Sequence, residues 1–162
     1  MICQLLLDTN TTPPFMSITS ENVTPVLLAP KNLYLGAGII VNGQLIRGDK
    51  HMAGEVSFIS SNMTREEALT LMADEEFFMN SLTTAITAII SVINPTRMVI
   101  AGNAISEDMK DIIYDNCLNI IPEVFMPELE VIPDTDKYFM NGIITLALNN
   151  TTTGLKLIAN EL

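Results

Sequence analysis

Tryptophan is absent from the chain, histidine occurs once, as His51, and cysteine twice, as Cys3 and Cys117. With one histidine and two cysteines far apart in sequence, the clustered ligand set of a structural or catalytic zinc site is missing, so no metal and no zinc are expected. No Cys-x-x-Cys pair exists, and both thiols read as reduced, small apolar residues of a cytoplasmic protein. Basic residues are also scarce, 8 Lys+Arg against 19 Asp+Glu, for a net charge of -11. Lys31, Arg47, Lys50, Arg65, Arg97, Lys110, Lys137 and Lys156 stand singly. A nucleic-acid backbone calls for clustered cations, so no direct DNA or RNA binding is expected. No uninterrupted apolar run reaches the roughly 20 residues of a membrane span. The opening, Met1 to Asp8, lacks the basic flank of a signal peptide, so a cytoplasmic chain with no membrane partner is expected.

What is present is apolar. Of the 162 residues 48% are hydrophobic and only 17% charged, and the mean hydropathy is +0.35. That excludes disorder, which needs low hydrophobicity and high charge. A domain of this size buries about 70% of its unfolded surface and needs no staple. The expectation is one domain over 1–162, with a strand and loop in 1–25 and a polar, Thr/Asn-rich tail over 149–162.

Ile2 to Leu7 reads as a buried strand ending at Asp8, followed by a loop through Pro14. Val26 to Ala29 reads as a second strand and Pro30-Lys31-Asn32 as a turn. Gly36 to Val41 and Leu45 to Arg47 flank Asn42-Gly43, the strongest short-range hairpin signal, because a type I′ turn needs positive φ at both central residues. A long loop follows from Gly48 to Ser61.

Then the pattern turns helical. Thr64-Arg65-Glu66-Glu67 is a capping box that opens a helix to about Ala73. Asp74 caps a second helix with an apolar face of Phe78, Leu82, Ala85, Ile86, Ile89 and Ile93, stopped by Asn94-Pro95. Met98 to Ala101 is a strand. Ser106 caps a helix with a stripe of Met109, Ile112, Ile113, Cys117, Ile120 and Ile121. Leu129 to Ile132 is the last strand, and Asp136 starts a final helix through Leu148. Hairpin strands followed by strands separated by helices predict an α/β fold with a mixed sheet, antiparallel at one side and parallel at the other, with helices packed on it. This is a ribonuclease H-like arrangement.

Three segments carry a resemblance. They are Leu35 to Leu45 with Arg47-Gly48 and Met52-Ala53-Gly54-Glu55-Val56-Ser57-Phe58-Ile59, then Asn94 to Ser106, then Asn141 to Leu148. Together they resemble the ROK family of bacterial repressors, open reading frames and sugar kinases. The resemblance runs from about residue 26 to 148. It implies the second lobe of an actin-like ATPase fold, and family members suggest a homodimer and a sugar ligand. It makes Glu55, Gly54 and Asn10 sugar-contacting residues. Asp8 stands where the kinases hold their catalytic base, and Gly36, Gly102 and Asn103 stand near the nucleotide.

The departures from the family pattern bear on function. The chain starts where the family's second lobe starts, without the first lobe or a helix-turn-helix. Asn32-Leu33-Tyr34-Leu35-Gly36 stands at the family's glycine-rich phosphate turn with Leu33 and Tyr34 as departures from it, and a phosphate needs close approach of bare backbone amides. Phe58 stands at the histidine after the Ala-Gly-Glu motif, and the family's zinc-binding cysteine run is missing. The leading expectation is therefore a sugar-sensing or dimerising lobe of a ROK-type transcriptional regulator, with no cofactor and with Asp8 inactive. The alternatives are the lobe of a sugar kinase, which would use ATP on a hexose or aminosugar, and a scaffold that binds nothing. For each site residue a plain reading competes: Glu55 as a loop residue meeting backbone amides, Gly36 as a strand entry, Gly102-Asn103 as a strand-to-helix turn, His51 as a solvated loop side chain.

Overall fold

The computed structural model describes residues 23–42, 44–59, 63–136, 138 and 140. The chain divides into two compact units, one spanning Ile18–Thr135, the other combining Met1–Ser17 with Asp136–Leu162. In the second unit Asp136, Tyr138 and Met140 are described, and all three are helical. The expected strand Ile2 to Leu7, the loop to Pro25 up to residue 22, Asp8, Asn10 and the tail 149–162 lie outside the described residues.

The larger unit holds five strands: β1 (Val23–Leu28), β2 (Gly36–Val41), β3 (Gln44–Leu45), β4 (Arg97–Ala101) and β5 (Glu128–Ile132). They form one sheet in the order β3-β2-β1-β4-β5. β1 pairs antiparallel with β2, Val26 facing Gly38, and β2 antiparallel with β3. β1 runs parallel to β4, and β4 parallel to β5. The sheet is thus mixed in the expected sense, antiparallel on one side and parallel on the other.

β1 begins three residues earlier than predicted and contains Pro25. The parallel ladder to β4 starts only at Val26, so the residue that has no N–H to donate sits just before it. Asn42 adopts φ 51 at the tip of the hairpin, as the Asn-Gly signal requires. The Gly48–Ser61 loop is broken by two short 3-10 turns, Asp49–His51 and Val56–Phe58.

Helix α1 (Arg65–Leu71) opens on the predicted capping box. The Glu67 amide donates to Thr64 Oγ1 at 3.3 Å, and the Thr64 amide to Glu67 Oε2 at 2.8 Å. These bonds from Thr64, the backbone one first, hold the Glu67 carboxyl below its ordinary range. A depressed folded-state pKa gives stability that is present above the unfolded value and lost as pH falls through the folded one. Thr64→Ala is expected to cost about 1 kcal/mol at neutral pH. Its urea midpoint should also fall less steeply than the parent's below the usual carboxylate range. Identical acid limbs for the two proteins would show that the hydroxyl adds nothing to the coupling, the Thr64 amide bond to Glu67 being kept in both.

Helix α2 (Glu75–Ile93) is capped by Asp74, whose Oδ1 accepts from the Phe77 amide at 2.8 Å. It ends at Asn94, left-handed at φ 50. Its face of Phe78, Leu82, Ala85, Ile86 and Ile89 is buried and joins Leu27, Met98, Ile100 and Leu129 of the sheet in one cluster. By length and hydropathy α2 could cross a membrane, because Ser and Thr interrupt the apolar run without making it polar. Half of its apolar window is buried inside the protein, as in a core helix.

Helix α3 (Met109–Leu118) starts later than predicted. Ser106 is not its cap: Asp108 occupies the cap position and makes no capping bond. Ser106 instead accepts the Met109 amide on its carbonyl at 3.1 Å. Its hydroxyl binds the Asp108 carboxyl, the largest cause of that group's lowered pKa. The seam is Ile113, Cys117 and Ile121, all buried, whereas Ile112 and Ile120 are 54% and 61% exposed. Burial pushes the Cys117 thiol up to about 11.

Candidate functional site

In an open sheet with parallel strands, ligands sit beyond the carboxyl ends of those strands. Here that edge is formed by the loop after β1, Ala29 to Leu35, and the loop after β4, Gly102 to Asp108. The two loops touch backbone to backbone. Gly102 has φ 139, and a Cβ on it would lie 2.3 Å from the Ala29 carbonyl oxygen. The Ala29 amide donates to Ala101 O at 2.8 Å, and Ala104 donates back to Ala29 O at 3.1 Å. Gly102 itself donates to Ile132 O at the end of β5, at 3.0 Å. Gly102 is therefore required by close approach, whatever else it does.

Asn103 closes the arrangement. Its Oδ1 accepts the Lys31 amide at 2.8 Å. Within the same turn Leu33 donates to Pro30 O at 3.4 Å, and Asn32 is left-handed at φ 57. The structure thus brings Gly102 and Asn103 against the segment that stands at the phosphate turn. The amides of Lys31, Leu33, Gly102 and Ala104 are all given to protein acceptors, not presented to a ligand. Gly36 lies at the far end of this turn as the first residue of β2, opposite Leu28, where it serves strand entry.

Tyr34 points its chemistry at α1. Its hydroxyl donates to the Arg65 carbonyl oxygen at 2.8 Å, and its ring centroid lies 4.3 Å from the Arg65 guanidinium carbon. Phe58, at the position of the family's histidine, brings a second ring to 4.7 Å from the same carbon. Cation–π contacts of this kind are worth about 0.5–1 kcal/mol each when exposed. Arg65 is the residue that sequence reasoning missed. It reads as an ordinary first-turn helix residue, and nothing local links it to Tyr34, 31 positions upstream.

Gly54 and Glu55 lie elsewhere, docked on β2. Gly54 has φ 87 and its missing Cβ would stand 1.7 Å from Ala37 O; its own carbonyl accepts the Ala37 amide at 2.7 Å and the Val56 amide at 2.8 Å. The observed role of Gly54 is to let the loop lie flat on the strand. Glu55 follows as the residue before the Val56–Phe58 turn, half-buried, and among the described residues its carboxylate has no side-chain partner. It borders a cavity of about 260 Å³ lined by Ile39, Val56, Ile59, Ile89 and Ile93. This is smaller than most small-molecule sites, and among the described residues Glu55 is the one charged group that borders it. A sugar placed there would find one carboxylate from this unit and otherwise hydrocarbon. Among the described residues no group of three or more His, Cys, Asp or Glu side chains is placed to hold a metal ion.

The described unit is a mixed α/β domain whose ligand-side loops lie at the carboxyl ends of parallel strands. Solved structures with the same fold are ROK proteins. A ROK family protein from Streptococcus pneumoniae TIGR4 in complex with sucrose matches with a TM-score of 0.63 at 11% identity, covering 93% of this chain and 65% of that one. An inorganic polyphosphate/ATP-glucomannokinase from Arthrobacter sp. strain KM gives 0.55 at 12% identity, covering 91% and 55%. The ROK hexokinase from Thermus thermophilus gives 0.54 at 12% identity, covering 81% and 59%. The chain therefore has the fold of ROK proteins over most of its own length, and it spans less than two thirds of theirs. No family model matches the sequence, and no curated protein matches it.

Proposed function

We propose that this chain is the second, ribonuclease H-like lobe of a ROK-type protein that senses a sugar or dimerises rather than phosphorylates, as in a ROK-type transcriptional regulator. One observation carries the reading. The turn at the phosphate position, Asn32 to Gly36, is filled from within: its Leu33 amide is given to Pro30 O, its Tyr34 side chain is held by Arg65, and the amide of the preceding Lys31 is held by Asn103. A phosphate cradle needs those amides bare. Glu55, with an unpartnered carboxylate, is the residue assigned to a sugar hydroxyl in this reading. A homodimer in the cytoplasm, with no cofactor and no zinc, completes it.

The second reading, a sugar-kinase lobe using ATP, is favoured by the fold it shares with the glucomannokinase and the hexokinase. The two readings part in a thermal-shift screen of the chain with ATP and with a panel of hexoses and aminosugars. One of the sugars should raise the melting temperature and ATP should not, since a ligand bound only to the folded state stabilises it. Glu55→Gln should remove about half or more of the sugar shift, because a carboxylate accepts stronger hydrogen bonds from hydroxyls than an amide does. A shift with ATP would favour the kinase reading, and no response to any sugar would leave a scaffold.

A further inference from the structure

We propose that the Arg65 guanidinium, presented by Tyr34 and Phe58, is a binding site for the oxyanion of a small molecule, a carboxylate or a phosphate monoester. The chain carries 19 acidic residues against 8 basic ones, so an arginine would ordinarily find a carboxylate. Arg97 does, pairing with Glu130. Among the described residues Arg65 has no such partner, although Glu66 and Glu67 adjoin it in sequence. The Glu67 carboxylate is turned to the amide and hydroxyl of Thr64 at 2.8 and 2.9 Å. What holds the Arg65 side chain is two aromatic rings, at 4.3 and 4.7 Å. Rings take up the charge and the flat faces of a guanidinium and leave its in-plane N–H groups unused. The Tyr34 hydroxyl fixes the same residue's carbonyl at 2.8 Å, so backbone and head group are both positioned.

An arginine ordered in this way has already lost rotamer freedom, and its planar fork matches two oxygens of a carboxylate or a phosphate. The site joins the β1–β2 turn, the Val56–Phe58 turn and the start of α1. It does not involve Glu55, so it stands or falls independently of the sugar reading.

The test is calorimetric and NMR titration of the full chain with inorganic phosphate and, separately, with acetate, using glycerol as the neutral control. Saturable binding of either anion and none of glycerol is expected. Tighter phosphate would identify a phosphate monoester as the natural group, tighter acetate a carboxylate. Arg65→Met should weaken binding at least about tenfold, and Arg65→Lys should weaken it about threefold or more, because an ammonium keeps the charge but loses the fork. Phe58→Leu should also weaken it, with the guanidinium less ordered. Because Arg65→Lys and Phe58→Leu leave α1 and its capping box in place, the result does not depend on the Arg65→Met variant folding. Absence of saturable binding of both anions, or binding unchanged in Arg65→Lys and Phe58→Leu, would overturn the proposal.

Discussion

Gly54→Ala and Gly102→Ala should each destabilise the protein by about 3 kcal/mol or more, the largest effects expected of any single methyl group added here. Two costs add at each position. The φ values of 87 and 139 lie where an L side chain is strained, and the new Cβ would meet a carbonyl oxygen at 1.7 Å in one case and 2.3 Å in the other. A carbonyl held by backbone hydrogen bonds cannot step aside as a flexible side chain can. Ala37 is bonded within β2 and Ala29 is bonded to both Ala101 and Ala104, so relief would break those hydrogen bonds. Gly48 is the internal comparison. Its φ of 65 with ψ 178 is also a glycine conformation, but its nearest neighbours would be the Ala53 Cβ at 3.2 Å and amide nitrogen at 3.3 Å, contacts that small shifts relieve, so Gly48→Ala should cost less, about 1–2 kcal/mol, mostly the strain of the backbone. Urea unfolding of the three variants measures the order. Equal losses at all three positions, or losses below about 1 kcal/mol at Gly54 and Gly102, would mean that the loops are free to move away from the sheet.

Leu82→Ala should cost about 2–5 kcal/mol, and Val92→Ala, on the same helix, less than about 0.5 kcal/mol. Leu82 has no exposed surface, and Val92 is 85% exposed. Leu82 lies in the middle of the face that α2 sets against Leu27, Met98 and Ile100, where truncation leaves a void lined by strands that cannot collapse into it. The same substitution at Ile86, one turn on and equally buried, should give a similar loss. The two together should fall short of additivity, because neighbouring cavities share walls. The comparison within one helix separates core packing from helix propensity, since every variant gains the same alanine. A loss at Val92 that rivals Leu82 would place the apolar face of α2 on the wrong side.

Local chemistry was the part of the fold most readable in the residues. The box of Thr64 and Glu67, the Asp74 cap, the Asn42 turn and the stop at Asn94 each depend on side chains within a few positions of one another, and all are found as predicted. The start of α3 was misread because Ser106 uses its hydroxyl on Asp108 two residues on, an alternative to capping that serine shares with all short polar side chains. Ile112 and Ile120 were counted into the stripe because a three-residue step fits a helical face as well as a four-residue step does. Burial chose 113, 117 and 121. At the site, Gly54 and Gly102 could be singled out from the sequence, but their reason could not, since the carbonyls they approach, Ala37 in β2 and Ala29 just after β1, are 17 and 73 residues away. The Tyr34, Arg65 and Phe58 contact has no local signature at all.

The outer strands set a rule for how copies of this chain can meet. Among the described residues β3 and β5 are the outer strands of the sheet. β3 has two residues, too few to template a neighbour. β5 runs from Glu128 to Ile132 between Pro127 and Pro133 and carries two carboxylates, Glu128 and Glu130. Proline and charge at a margin discourage a further strand from adding there, and in a chain of net charge -11 a second copy would bring the same carboxylates with it. Growth from one molecule into the next is thereby discouraged at both edges that the described strands form. A dimer made through the described strands would have to be built face to face, through side chains, with those backbone ladders left closed.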